Sequence, residues 1–470
     1  MNTTSRRAFV GGTTALAGAA ALGIASRGSV AQATRTRMDI ATFAQDATRL
    51  AKFEAAVKEM QDRSAANPDD PKGWLVNANA HRDFCGIPSP TDPSQIHFCW
   101  WFLAWHRAYI SVTERKIREL SGDDTFSYPY WNWSSDRRIP DAYGKAGSPL
   151  AKAVRFPRTQ PPGLSDGEVG FFQNDPELRT LGVAALGSTF FQAATPDDIP
   201  FSFGGIARPN PDNAYDNNAL EDTPHGPVHV YVGGVRRANG RTVPGDMSVF
   251  QTAARDPIFF AHHGNLDRLW ETWRRDPARK ASEPTSDAFL MHSFAFTWLD
   301  GTSVEVPMSD ILDTTKLGYS YDYLDVFRPN APLVMAEQAA PERLAPIATE
   351  KLSVPFAPQS AEAAGERKYL EITGVESPKE PMSVSVLVKP ANALASDRGI
   401  EVGTFAAVPT DGQTAWSSPK RLVFDITNVA RQFGGQDITV ELVPHRVGPA
   451  PEQTFPPLKY ERMQIITRRR

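Results

Sequence analysis

"DPIFFAHHGNLDRLWETWRRDP", residues 256–277, is the stretch whose reading decides the fold. Asp256 suits a helix cap, Pro257 the opening position, and Pro277 a forced end. Between them Phe259, His263, Leu266, Trp270 and Trp273 recur at intervals of 4, 3, 4 and 3, which is one apolar stripe on one face of a helix. His263 therefore faces a core. His262 stands about 100° around the same helix and is expected to aim elsewhere, as a neighbour rather than a partner. Asp267, one turn after His263, is placed to take the proton on that ring's other nitrogen.

Working outward, "LAWHRAYISVTERKIREL" (103–120) repeats the pattern, with His106, Ile110, Thr113, Ile117 and Leu120 on one face. "EDTPHGPVHVYVGG" (221–234) sets His225 and His229 one turn apart on a very short helix. There Asp222 or Thr223 is the expected cap, Pro224 the first helical residue, and Gly233-Gly234 the stop. The chain has nine histidines, and seven fall into two clusters: 81, 97 and 106, then 225, 229, 262 and 263. Burying several neutral imidazoles together without a metal would strand many ring nitrogens. One ligand from each inward helix, the pair at 225 and 229, and His81 with His97 make two three-imidazole sites with open positions for a small ligand. Imidazole suits copper, zinc, iron and nickel, and neither an HExxH motif nor a carboxylate in the set points to a zinc protease or an iron oxygenase. Copper is favoured, though spacing alone leaves the metal open.

Composition sets the frame. At 470 residues the chain exceeds one ordinary core, so a large and a smaller domain are expected. With 41% hydrophobic and 22% charged residues and a net charge of −4 it reads as globular, with no electrostatic case for nucleic acid. Two cysteines, Cys85 and Cys99, make no disulfide framework. "SRRAFVGG" (5–12), a weakly apolar run to about Ile24 and "AQA" (31–33) resemble a twin-arginine export signal over residues 1–33. Its removal takes away three arginines and no acid, so −4 becomes −7, and the mature protein is expected to be periplasmic or secreted. No segment is apolar for long enough to anchor it in a membrane.

"FAQDATRLAKFEAAVKEMQDRS" (43–64) reads as an early amphipathic helix through Phe43, Ala47, Leu50, Phe53, Val57 and Met60. Residues 149–211 read as loop with short helices, and about 215–275 as a second helical block. Beyond 330 the Ala/Pro-rich stretch 336–366 looks like a surface linker, with the boundary set at 331–350. "MSVSVLVKP", "KRLVFDIT", "DITVELVPH" and "YERMQIITR" then alternate as strands, which gives a β sandwich or barrel over 351–470.

"NAHRDFC", "IHFCWWFLAWHRAY", "YPYWNW", "PHGPVHVY" and "DPIFFAHHGNLDRLW", in this order, resemble the type 3 copper polyphenol oxidases, the catechol oxidases and tyrosinases, with plant-like motifs on a bacterial type of export signal. "TWLDG" (297–301) and "GYSYDY" (318–323) resemble that family's region between catalytic and C-terminal domains. The resemblance implies a mainly α catalytic domain over 34–330, a four-helix bundle holding a dicopper centre, with the β domain covering the active site. It assigns His81, His97 and His106 to one copper and His225, His229 and His263 to the other, with dioxygen as co-substrate and catechols as substrates. It aligns Cys85 with a cysteine that forms a thioether to His97, Phe250 with the bulky residue over the first copper, and Glu221 with an acid holding a water near the second. Members that hydroxylate monophenols often carry Asn where this chain has Gly226, so oxidation of o-diphenols is expected over tyrosinase activity. A haemocyanin-like dioxygen carrier is the rival from another class.

Overall fold

The computed structural model describes residues 35–85, 96–97, 99–152, 155, 163–171, 183–188, 202–205, 207, 218–238, 241–329, 344–354, 366–409, 420–445 and 455–469. The export signal expected over residues 1–33 lies outside them. Five helices organise the first domain: α1 (Ala47–Ala66), α2 (Trp74–Cys85), α3 (Trp101–Ser121), α4 (Gly226–Gly233) and α5 (Ile258–Arg274). The stretch from Phe43 is not one helix. Ile40–Phe43 is a separate turn, and α1 starts at Ala47 because Asp46 caps it, accepting from the Arg49 amide at 3.0 Å. Phe53, Ala56, Val57 and Met60 then bury the expected face. Helix α3 ends where Gly122 takes φ 63°, a left-handed stop that glycine adopts without strain. At the start of α5 the Asp256 carboxylate accepts from the Ile258 amide, as the sequence led us to expect.

The short histidine helix starts where expected. Thr223 is extended (φ −148°, ψ 119°) and forms a kink within 221–225, after which helical backbone runs through His225 into α4. The cause is local: the residue before a proline is pushed out of helical space, so Thr223 takes the extended backbone of a cap and Pro224 opens the helix.

The N-terminal strand β1 (Arg35–Arg37) runs parallel to β2 (Tyr319–Tyr321), so the two ends of the first domain close on each other. Arg37 is carried into the interior, where it pairs with Glu114 (2.9 Å) and Asp267 (3.1 Å). Arg107 joins Asp267 and Glu271, and the Tyr319 hydroxyl donates to Asp267 at 2.6 Å. Buried charges persist only when paired in this way.

The second domain is a sandwich with its own core. Its strands are β3 (Ala348–Leu352), β4 (Glu366–Val375), β5 (Met382–Pro390), β6 (Ile400–Ala407), β7 (Lys420–Asp425), β8 (Ile438–Pro444) and β9 (Arg462–Arg469). One antiparallel sheet has the order β6-β5-β8-β3, the other β7-β4-β9, and Val384, Val386 and Leu442 of the first share a core with Leu370, Ile372 and Leu422 of the second. The linker expected to reach residue 350 therefore ends earlier. Ile347 already donates to Leu442, and β3 pairs with β8 from Ala348. No helix among the described residues is long and apolar enough to cross a membrane.

Candidate metal centre

Helix α2 brings in His81, α3 brings in His106, and His97 stands just before α3. His225 precedes α4, His229 lies in its first turn, and His263 comes from α5. All six are 3% exposed or less, which makes this an interior site. In the first group the ring centroids lie 5.3 to 5.6 Å apart, and in the second 4.5 to 5.5 Å apart. The groups face each other, with His106 stacked on His263 at 4.0 Å and His97 6.3 Å from His225. Within each group one ligand atom per residue lies within 4.8 Å of the others.

Orientation decides what such a cluster can do. Four rings are pinned through Nδ1 to backbone carbonyls: His81 to Phe250 (3.1 Å), His106 to Phe102 (2.7 Å), His225 to Glu221 (3.3 Å) and His229 to Met247 (2.9 Å). A carbonyl can only accept, so it fixes the proton on Nδ1 and leaves Nε2 as a bare lone pair. The Nε2 atoms of His106 and His225 have no hydrogen-bond partner, and those of His229 and His263 approach to 3.3 Å. Burial holds the rings neutral, pushing His106 down to about 3 and His229 to about 4, with His81, His225 and His263 also well below the ordinary range. Inward neutral imidazoles with orphaned lone pairs fit copper, and no carboxylate or thiolate joins either group among the described residues.

Two expectations change. Asp267 does not serve His263, whose Nδ1 has no partner; its carboxylate is taken by Arg37, Arg107, Tyr319 and Tyr321. Those cations have no counterpart in the local pattern of α5, so the helical register alone could not place them. His262 does not point away either. Helix α5 is buried nearly all round, and the His262 ring lies 5.6 Å from His225 and 5.0 Å from His229, with both its nitrogens unpartnered. A stripe argument excludes a residue only when the opposite face meets water, and here it does not.

Around this centre Glu221 is buried, with its carboxylate accepting from the Asn218 side chain at 3.0 Å. The Phe250 ring lies 6.1 Å from His97. The side chain of Cys85 lies outside the described residues, and Cys99 is buried.

Strand β6 of the sandwich packs on α4 and on the turn 221–225 before it, the segments that carry His229 and His225. Ala406 packs on Gly226, where an added Cβ would stand 2.8 Å from the alanine methyl. Val408 packs with Val230 and Phe250, and the Thr223 hydroxyl donates to the Thr404 carbonyl. Glu401 accepts from Thr404 (2.7 Å) and Ser385 (2.5 Å) and rests on Gly167 of the first domain. Sequence reasoning missed Val230, Ala406, Val408 and the anchoring carbonyls. Only the carbonyls of Phe102 and Glu221, each four residues before its histidine, carried a local signal.

A helical domain that converges six imidazoles beside a β sandwich is an arrangement able to hold a pair of metal ions. Residues 71–276 match the family profile described as the common central domain of tyrosinase. A latent-form chloroplastic polyphenol oxidase of Prunus armeniaca is 30% identical over 435 residues, covering 86% of this chain and 71% of that protein. The chain belongs to the tyrosinase family of type 3 copper proteins. A chloroplastic polyphenol oxidase of Malus domestica is 32% identical over 277 residues, covering 57% of this chain and 46% of that protein. The chain thus spans about half the length of the apple protein and of several other relatives it matches. The structure of latent apple tyrosinase superposes with a TM-score of 0.64 at 25% identity, covering 93% of this chain and 97% of that one.

Proposed function

We propose that this protein is a polyphenol oxidase that oxidises o-diphenols to o-quinones with dioxygen. The observation that carries the proposal is the pair of buried, facing histidine trios, four of whose six rings are pinned through Nδ1 to backbone carbonyls, in a chain of the tyrosinase family. His81, His97 and His106 would hold one copper and His225, His229 and His263 the other. When bound, the copper pair supplies dioxygen binding and the passage of electrons from the phenol. Each catechol gives up two electrons and two protons, so two catechols reduce one dioxygen to two waters.

The chain's own residues frame that chemistry. Carbonyl-anchored imidazoles hold the metal positions without reorganising as charge moves, and Phe250 and Val230 wall the approach against water. Glu221, buried beside His225, is the acid suited to hold a water near the second site. Gly226 offers no side chain to help it deprotonate a monophenol, which favours diphenols. The packing of Ala406 and Val408 over the same mouth supports a C-terminal domain that keeps the enzyme latent. A thioether from Cys85 to His97 and export by the twin-arginine route complete the reading. The thioether removes two hydrogens, so intact mass should fall about 2 Da below the sequence value.

The test is copper analysis of the full chain followed by oxygen uptake with catechol and with L-tyrosine. Two coppers per chain are expected, with catechol consumed and tyrosine far slower. Reversible dioxygen binding without quinone would make the protein a carrier, and tyrosine hydroxylation without a lag would overturn the reading of Gly226.

A further inference from the structure

Helix α3 has a second working face. His106 and the residues spaced with it turn toward the histidine groups, whereas Ser111, Arg115 and Arg118 lie about 120–180° around the helix and about 8–18 Å further along it. There they line a cavity of about 350 Å³, closed by Arg35 of β1 and by Trp298, Val306 and Leu317 from the chain around the hairpin Ser293–Thr297/Ser303–Pro307. Nothing in the proposed oxidation uses this space.

Three guanidinium groups meet at it, and two are incompletely satisfied. Arg118 is committed, donating to Glu114 (2.6 Å) and the Phe126 carbonyl (3.0 Å). Arg35 donates through Nε to the Asp124 carbonyl at 2.6 Å, but its Nη1 is buried with no partner among the described residues. Arg115 stacks on Trp298, with its guanidinium carbon 4.9 Å from the ring centroid, and its Nη1 is likewise buried and unpartnered. Buried guanidinium nitrogens are normally satisfied, so two orphans at one cavity call for an acceptor. Burial, and then the charge of Arg118, lower the proton affinity of Arg35 and Arg115, which an incoming anion would relieve. The acids that also line the space, Glu119 and Asp124, are exposed and offset the effect of burial on Arg115 and Arg35 only in part.

The apolar part of the lining fixes the rest of the ligand. Val112, Val306, Leu317 and the Trp298 ring are apolar, and a bare inorganic anion would leave them wet. We propose that this cavity binds a small aryl carboxylate, its carboxylate accepting from the Nη1 groups of Arg35 and Arg115 and its ring lying against Trp298. Guanidinium suits a carboxylate geometrically, and the ring adds apolar burial.

Isothermal titration of the full chain with benzoate tests this, run on copper-loaded and on chelator-treated protein so that heat arising at a copper pair is identified by its loss. Benzoate should bind one to one, benzyl alcohol of the same shape should give no heat, and acetate should bind more weakly than benzoate. Arg115→Gln and Arg35→Gln should each weaken benzoate about tenfold, the loss of one charge-assisted hydrogen bond, with Arg115→Lys intermediate. Unfolding temperature checks each variant. If Arg115→Gln does not fold, Arg35→Gln decides, because it lies on a three-residue strand at the domain edge. Absence of benzoate heat, equal binding of benzyl alcohol, or unchanged affinity in the folded arginine variants would overturn the proposal.

Discussion

At Asp267 two guanidinium groups and two tyrosine hydroxyls converge on one buried carboxylate. Burial alone would raise this group, but Arg107 and Arg37 outweigh it and hold the carboxyl below the ordinary range; Glu114, flanked by Arg37 and Arg118, is held down likewise. Their contribution to stability is complete above the unfolded carboxylate value of about 4 and is lost as pH falls through the depressed folded values. Asp267→Asn should therefore cost about 3–5 kcal/mol near neutral pH by leaving Arg37 and Arg107 undercompensated. In urea unfolding the gap between wild type and variant should close as pH drops below about 4. A gap constant with pH would mean that packing, not charge, accounts for the loss. His262 gives a contrasting case. Because neither of its nitrogens has a partner, His262→Phe should keep two coppers per chain and leave stability unchanged or raise it by up to about 1–3 kcal/mol. His263→Ala should lose one copper of the two, measured by metal analysis.

The element that joins the two domains is β6, and it rests on two glycines. Gly226 receives Ala406, while Gly167 receives the Glu401 carboxylate and the Thr404 hydroxyl, so a methyl at 167 would coincide with that carboxylate. Gly167→Ala touches no histidine, yet its methyl displaces the Glu401 carboxylate from its seat on the first domain and so weakens the docking of β6. Catechol turnover by the full chain should rise about fivefold, the change in open population produced by roughly 1 kcal/mol of weakened docking. An unchanged rate would show that the sandwich does not limit access. The family resemblance implied a covering β domain, but the residues that dock it were not legible in the sequence, because they stand some 180 to 235 positions apart. What was legible was local: the 4-3-4-3 stripes of α3 and α5, the cap at Asp256, and the four alternating strands. Strand β4 escaped notice because its pattern is broken by Arg367, Lys368 and Glu371, and Glu371 is satisfied by Arg421 of the neighbouring β7 at 2.8 Å and by the Gln464 side chain of β9, both distant in sequence. The start of the histidine helix at Pro224 was legible too, since a proline constrains the residue before it, Thr223, whatever surrounds it.

On the scale of the whole molecule, the helical domain and the sandwich each have a separate hydrophobic core, and the first closes on itself through the parallel pairing of β1 with β2. For the latency proposed above, chain connection and docking are therefore distinct sources. While the Ala/Pro-rich stretch that begins at Ala336 is intact, the sandwich is held near the mouth at an effective concentration on the order of millimolar, so even modest contacts keep it seated. Cutting that stretch at an engineered protease site between Ala336 and Ala340 should not by itself release activity. The contacts of Thr223 with Thr404, of Gly226 with Ala406 and of Val230 with Val408 survive the cut. Activity should appear on dilution, as the severed sandwich falls below its dissociation constant, and Gly167→Ala should move that transition to about fivefold higher protein concentration. The measurement is catechol turnover per molecule of cut protein across a dilution series, with size exclusion reporting whether the fragments have parted. Full activity at the moment of cutting, with the fragments still associated, would assign latency to the strain of the connection and not to the cover that β6 provides.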